Sequence, residues 1–267
     1  MKFSEYLLVT ENRAEELSWM GAEQLLKKCQ YAVNSKLAIY RGMATESEET
    51  YFFGDGKFDI PRRSAHTSNY STLIIDNTPA WSTFPKRSKS YICTTDPEYA
   101  SDHGVVYEVY PFDGANIGIC SDSDFWYSFH KLQSITIDDI NAFNKMIQNT
   151  LYHHFNKAPR NDTTFENIQH GCAAVDEYLK SINYDYRQLP PYELESRERQ
   201  ALEKLTKNHT PFLTGIMNIL DPITNGFKQT TINNIKSLPS RREVWTDAPC
   251  VFKKYQKKKT SMWGFGK

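Results

Sequence analysis

The segment Lys89-Ser90-Tyr91-Ile92-Cys93-Thr94-Thr95-Asp96-Pro97-Glu98-Tyr99-Ala100 changes backbone character halfway along. Residues 88–93 read as a strand, because alternating polar and β-prone side chains suit a pleated surface. Thr95 or Asp96 can then accept from the first free amides of a helix. Pro97 fits the first turn, where its missing N–H has no partner to lose. Gly104 stops that helix. Val105-Val106-Tyr107-Glu108-Val109-Tyr110 is β-rich again, 111–114 is a turn, and 115–120 is expected to return as a hairpin partner.

Upstream, Leu17, Met20, Leu25, Leu26 and Cys29 recur at helical spacing, so 15–31 is expected to be a helix. Lys36-Leu37-Ala38-Ile39-Tyr40 reads as a strand ending at Arg41-Gly42. Residues 72–75, Thr-Leu-Ile-Ile, read as a short strand. Downstream the character changes near 136, where Thr136 with Asp139 resembles a capping box. Ile140, Phe143, Ile147, Leu151 and Phe155 share one helical face. Phe165, Ile168, Cys172, Val175, Leu179 and Ile182 alternate steps of three and four, the mark of an amphipathic helix. Residues 193–207 and 212–220 are two further helices, the last stopped at Asp221-Pro222. β character is expected to return only at Glu243-Val244-Trp245-Thr246 and Cys250-Val251-Phe252. The expected class is α+β: one domain over 1–267 with a helical insertion at about 136–222, or alternatively a separate helical domain there.

The chain has 267 residues, 39% hydrophobic and 24% charged, enough to bury a core without disulfides. Net charge is zero, so no global field draws it to nucleic acid. The lysines at 253, 254 and 257–259 are read as a solvated basic tail. The five cysteines are odd in number and lack a Cys-x-x-Cys pair, which points to free thiols in a reducing compartment. With no apolar signal core and no long apolar stretch, the chain is expected to be soluble and cytoplasmic, without membrane contact. Nucleotide-loop and serine-hydrolase glycine motifs are absent. His153-His154 and His170 with Cys172 lack usual metal spacing, so no metal is expected.

Three short segments far apart carry the chemistry: Tyr40-Arg41-Gly42, Cys93-Thr94-Thr95 and Arg242-Glu243-Val244-Trp245. Together they resemble the arginine, Ser-Thr-Ser and glutamate elements of the ADP-ribosyltransferase family, whose members split NAD and pass its ADP-ribose to an acceptor. The resemblance covers about 36–120 and 238–256. It implies an ADP-ribosyltransferase-like β core, with NAD as substrate. By the same resemblance Arg41 and Gly42 bind NAD, Thr94 and Thr95 brace the site, and Cys93 stands where the family has its first serine. Tyr99 or Tyr107 would stack on nicotinamide. Glu243 would stabilise the oxocarbenium that forms when the nicotinamide bond breaks, a task for an aimed negative charge. Asp124, in Ser121-Asp122-Ser123-Asp124, is a competing carboxylate, or the cap of a turn.

A thiol at 93 is a weak hydrogen-bond partner, so bracing falls to the threonines. Family enzymes that modify arginine usually carry Glu or Gln two residues before the glutamate; this chain has Arg241, which leaves nucleic acid or another protein side chain as acceptor. The basic, hydroxyl-rich and aromatic stretches at 61–70 and 85–88 suit phosphate contacts and base stacking. Arg63, Arg87 and Arg241 are the expected acceptor contacts. Toxins of bacteria, of toxin–antitoxin pairs and of phage are usual settings for such enzymes, so an antitoxin or inhibitor partner is implied. The rival readings are an NAD glycohydrolase and a degraded module that only binds nucleic acid or protein.

Overall fold

The computed structural model describes residues 14–44, 48–57, 70–137, 139–155, 164–189 and 194–257. Among the described residues nine strands form one antiparallel sheet: β1 (Glu15–Leu17), β2 (Tyr40–Met43), β3 (Tyr51–Gly54), β4 (Tyr91–Thr94), β5 (Val105–Pro111), β6 (Asn116–Ile119), β7 (Lys228–Thr231), β8 (Glu243–Thr246) and β9 (Cys250–Lys254). Their order is β1-β3-β9-β5-β2-β4-β8-β6-β7. β5 is paired by β2 and β9, and β6 by β7 and β8, so the expected hairpin does not form. Both edges of β5 are taken. The turn after β5 instead carries the chain across the fold, with Phe112 donating its N–H to Pro249 O and Gly114 to Asn233 Oδ1.

Side chains from β2, β4, β5, β6, β8 and β9, among them Tyr107, Val109, Ile117, Val244 and Phe252, share one core. Eight α-helices complete the described chain: α1 (Trp19–Leu26), α2 (Gln30–Ser35), α3 (Tyr70–Asn77), α4 (Pro97–Ser101), α5 (Ile140–Phe155), α6 (Phe165–Ser181), α7 (Ser196–Leu205) and α8 (Phe212–Ile219). The last four match the expected helical block. The stripe Ile168, Cys172, Val175 and Leu179 is buried as its spacing requires. It joins a second core with Tyr70, Ile74 and Ile75 of α3, Phe125, and Trp245 of β8. The block is therefore packed on one face of the sheet through shared side chains.

Several local expectations give way. The segment 15–31 breaks into β1, α1 and the start of α2, with Ser18 capping α1 by accepting from Gly21 N. Residues 72–75 lie in α3, not in a strand. Thr136 adopts left-handed backbone (φ 68°), and Asp139 opens α5 instead, accepting from Asn141 N at 2.7 Å. β7 supplies an additional strand before β8. Lys253 and Lys254 belong to β9 rather than to a tail, while Lys258 and Lys259 lie outside the described residues. All five cysteines are buried free thiols. Among the described residues, no helix is long and apolar enough to cross a membrane.

Candidate functional site

The three distant segments meet on three neighbouring strands. Tyr40 of β2 pairs with Thr94 of β4, and Thr94 pairs with Glu243 of β8, so one row runs across the sheet. Directly opposed residues project to the same face, so these three side chains stand together. Along the same face, Ile92 pairs with Trp245, which lies in the helical core. β2 and β4 pair at that one position only. Beyond it the buried Arg41 guanidinium spans the opening and donates to Ile92 O at 2.5 Å.

A cleft of about 240 Å³ opens over this row. Arg41, Gly42, Thr94 and Glu243 line it, with Tyr99 and His103 from α4 and its following turn, and Ser123 and Asp124 from the loop after β6. Gly42 is required here by packing. An added Cβ would overlap the Ala100 carbonyl oxygen, so only glycine lets α4 lie this close to β2. Asp96 holds the start of α4 by accepting from Glu98 N at 3.0 Å, as the sequence pattern anticipates.

Bracing falls to the threonines. Thr94 Oγ1 accepts from Asp96 N. Thr95 does more: its hydroxyl donates to Pro239 O at 2.8 Å and accepts from Arg242 N at 2.9 Å, while its own N–H donates to Arg242 O. The loop that delivers Glu243 is thus tied to the end of β4. Cys93 also borders the cleft, but its thiol is buried in the core beneath the sheet.

Glu243 is almost fully buried, with 8% exposure. Its Oε1 receives Arg87 NH1 at 2.5 Å and its Oε2 receives Phe125 N at 3.3 Å. Burial pushes this carboxyl above its ordinary value, Arg87 pulls it back, and nearby Asp124 pushes it up again. Asp124 caps a turn, its Oδ1 accepting from Trp126 N and Tyr127 N, and it also lines the cleft. Of the two sequence readings of Asp124, the turn cap is observed. The Tyr99 phenol is raised by burial and by the charges of Asp124 and Glu243, which line the same cleft.

Other expected residues are placed elsewhere. Tyr107 is fully buried, packed edge-on to Phe52 at 5.4 Å, with its hydroxyl unpartnered among the described residues. Tyr107 is not among the residues lining the cleft, whereas Tyr99, 45% exposed, lines it together with Tyr40. Arg87 is not a surface contact for an acceptor; its side chain is 12% exposed and its guanidinium sits 3.8 Å over the Phe125 ring. Arg241 is exposed and reaches Asp96 Oδ2 at 3.1 Å, joining the Glu243 loop to the α4 cap. Arg62 and Arg63 lie outside the described residues, as do the side chains of His153 and His154. Cys172 packs within the α6 stripe, and among the described residues no group of His, Cys, Asp or Glu is placed to hold a metal.

Sequence reasoning missed Arg87 as the partner of Glu243. The one local signal was the basic Pro85-Lys86-Arg87-Ser88 stretch, and nothing in it points 156 residues ahead. No protein family, curated protein or solved structure matches this chain.

Proposed function

We propose that this protein is an NAD-dependent ADP-ribosyltransferase acting on a macromolecular acceptor, nucleic acid or protein. The observation that carries the reading is the convergence of Arg41, Thr94 and Glu243, from three remote segments, on one cleft. A chance resemblance of three short motifs gives no reason for them to meet.

The chemistry asks for little covalent work and much electrostatic placement. The bond between nicotinamide and the ribose anomeric carbon breaks, and its electron pair leaves with nicotinamide. Positive charge develops on the ribose, and the ionised Glu243 carboxylate stabilises it and accepts from a ribose hydroxyl. An acceptor X–H attacks the same carbon, forming the X–C bond and releasing one proton to solvent. Arg41 provides the cation for the pyrophosphate, Tyr99 an aromatic face for nicotinamide, and Thr95 the fixed loop on which Glu243 is aimed. Arg241, exposed beside the cleft, remains the acceptor-side contact. A soluble macromolecular target and an inhibitory partner belong to the same reading.

The test is nicotinamide release from NAD by the purified protein and by Glu243→Gln. Loss of about 100-fold or more in turnover, with NAD affinity kept, supports the proposal. Equal rates for both proteins sink it. Release without transfer to any macromolecule would favour the glycohydrolase form, in which water is the acceptor.

A further inference from the structure

Arg87 meets Glu243 from outside the cleft. It is not among the residues lining the cleft. It borders instead a smaller pocket of about 30 Å³, with Ile75, Trp81, Phe84 and Trp245 of the helical core. From there its guanidinium contacts Glu243 Oε1 at 2.5 Å while stacking over Phe125. Its backbone is clamped as well. The Asp76 carboxylate accepts from Arg87 N at 2.9 Å and from Ser88 N at 3.1 Å. Trp245 Nε1 donates to Pro85 O at 2.9 Å just before it. A long cationic side chain has thus been fixed at both ends, which ordinary surface ion pairs are not.

We propose that Arg87 is a positioning residue that holds the Glu243 carboxylate charged and aimed into the cleft. The inference rests on Glu243 being the carboxylate of the proposed reaction. A buried carboxylate without a counter-charge takes up a proton, and a protonated Glu243 has no charge with which to stabilise an oxocarbenium. Arg87 supplies that counter-charge from outside the cleft. The titratable and charged groups facing Glu243 are Asp124 after β6, Cys120 at the end of that strand, Tyr99 and His103 beside α4, and Tyr40 and Arg41 of β2. Asp124 opposes the charge on Glu243, and burial holds the Cys120 thiol well above its ordinary value, so neither relieves it.

The test uses Arg87→Met and Arg87→Lys in the full chain. Nicotinamide release is followed from about pH 5 to about 9. In Arg87→Met the acid limb of kcat should move up by about one pH unit or more, with up to about a tenfold loss of kcat on the acid side that shrinks toward high pH, and KM changed less than about threefold. Arg87→Lys should restore the wild-type limb. A uniform loss at every pH, or a rise in KM alone, would overturn the proposal. A second readout needs no turnover: urea unfolding against pH for Arg87→Met, with and without Glu243→Gln. Burial raises the folded value of Glu243 even with Arg87 present, and removing that counter-charge raises it further, so Arg87→Met should lose stability more steeply than the wild type as pH rises above about 4.5. Adding Glu243→Gln should flatten the profile. Identical profiles would overturn the proposal. A flattened profile in a protein inert toward NAD would support the hold on Glu243 while removing the transferase reading.

Discussion

Gly42→Ala is expected to be among the most damaging one-carbon changes in this fold. The added Cβ would overlap the Ala100 carbonyl and sit 2.8 Å from His103 Cβ, where ordinary contact begins at 3.4 Å. Even His103 must retreat by about 0.6 Å, and the Ala100 oxygen farther. Neither is the loose end of a side chain, and Ala100 is itself buried against the sheet. Overpacking of this kind costs about 1–3 kcal/mol, and rigid backbone puts the estimate at the top, about 3 kcal/mol. In a chain of this size that lowers Tm by roughly 6–12 °C. α4 carries Tyr99 and the turn after it carries His103, so NAD turnover should fall with stability. Gly21→Ala is the control: its Cβ would find Ser18 Oγ at 3.4 Å and Leu17 Cδ2 at 3.5 Å, ordinary contacts, inside α1. It should be neutral or stabilising by about 0.5–1 kcal/mol. Urea unfolding of both variants decides. A Gly42→Ala cost within about 0.5 kcal/mol of the control would refute the placement of α4 against β2.

Thr95→Val removes a hydroxyl that both donates to Pro239 O and accepts from Arg242 N; partial exposure limits the cost to about 1–2 kcal/mol. NAD turnover should drop more than that stability loss explains, because the Glu243 loop is released; unchanged turnover would remove Thr95 from the bracing role. Tyr107→Phe should leave NAD turnover unchanged and keep or raise stability by up to about 1 kcal/mol, since the buried hydroxyl has no partner among the described residues. A rise in KM for NAD would put that ring back in the cleft. The wild-type rate should rise with pH as Glu243 ionises, with a midpoint above the ordinary 4.5, because burial outweighs the pull of Arg87. A rate flat down to about pH 4 would contradict that sign.

The run from β4 through α4 to β5 was legible because its signals are local: a β-prone segment, an Asp cap with Pro97 behind it, and Gly104 at the exit. α6 was legible for the same reason, its stripe being readable within one element. α3 was not. Thr72, Leu73, Ile74 and Ile75 look β-prone, yet Tyr70, Ser71, Thr72, Ile74 and Ile75 are all buried, and burial on most sides erases a helical stripe. β7 reads Lys-Gln-Thr-Thr, with no apolar alternation, and forms on the edge that β6 offers. The missing hairpin has the same origin, since β5 finds its partners in β2 and β9 rather than in the next segment.

The site divides along that line. Arg41, Thr94 and Glu243 announced themselves through short motifs, and Thr95 through its place at a strand end. Arg87 stayed hidden because its role is defined by a contact between distant segments. Tyr107 was misplaced because alternation along β5 says which residues share a face, not whether that face meets a cleft or a core.

Incubation of the protein with NAD labelled on its adenylate side and total cell extract tests the central claim most directly, with Glu243→Gln beside it. Label is expected to enter macromolecules with the wild-type protein and to be absent with Glu243→Gln, and protease or nuclease sensitivity then names the acceptor class. Intact NAD with both proteins, or equal labelling by both, would contradict it.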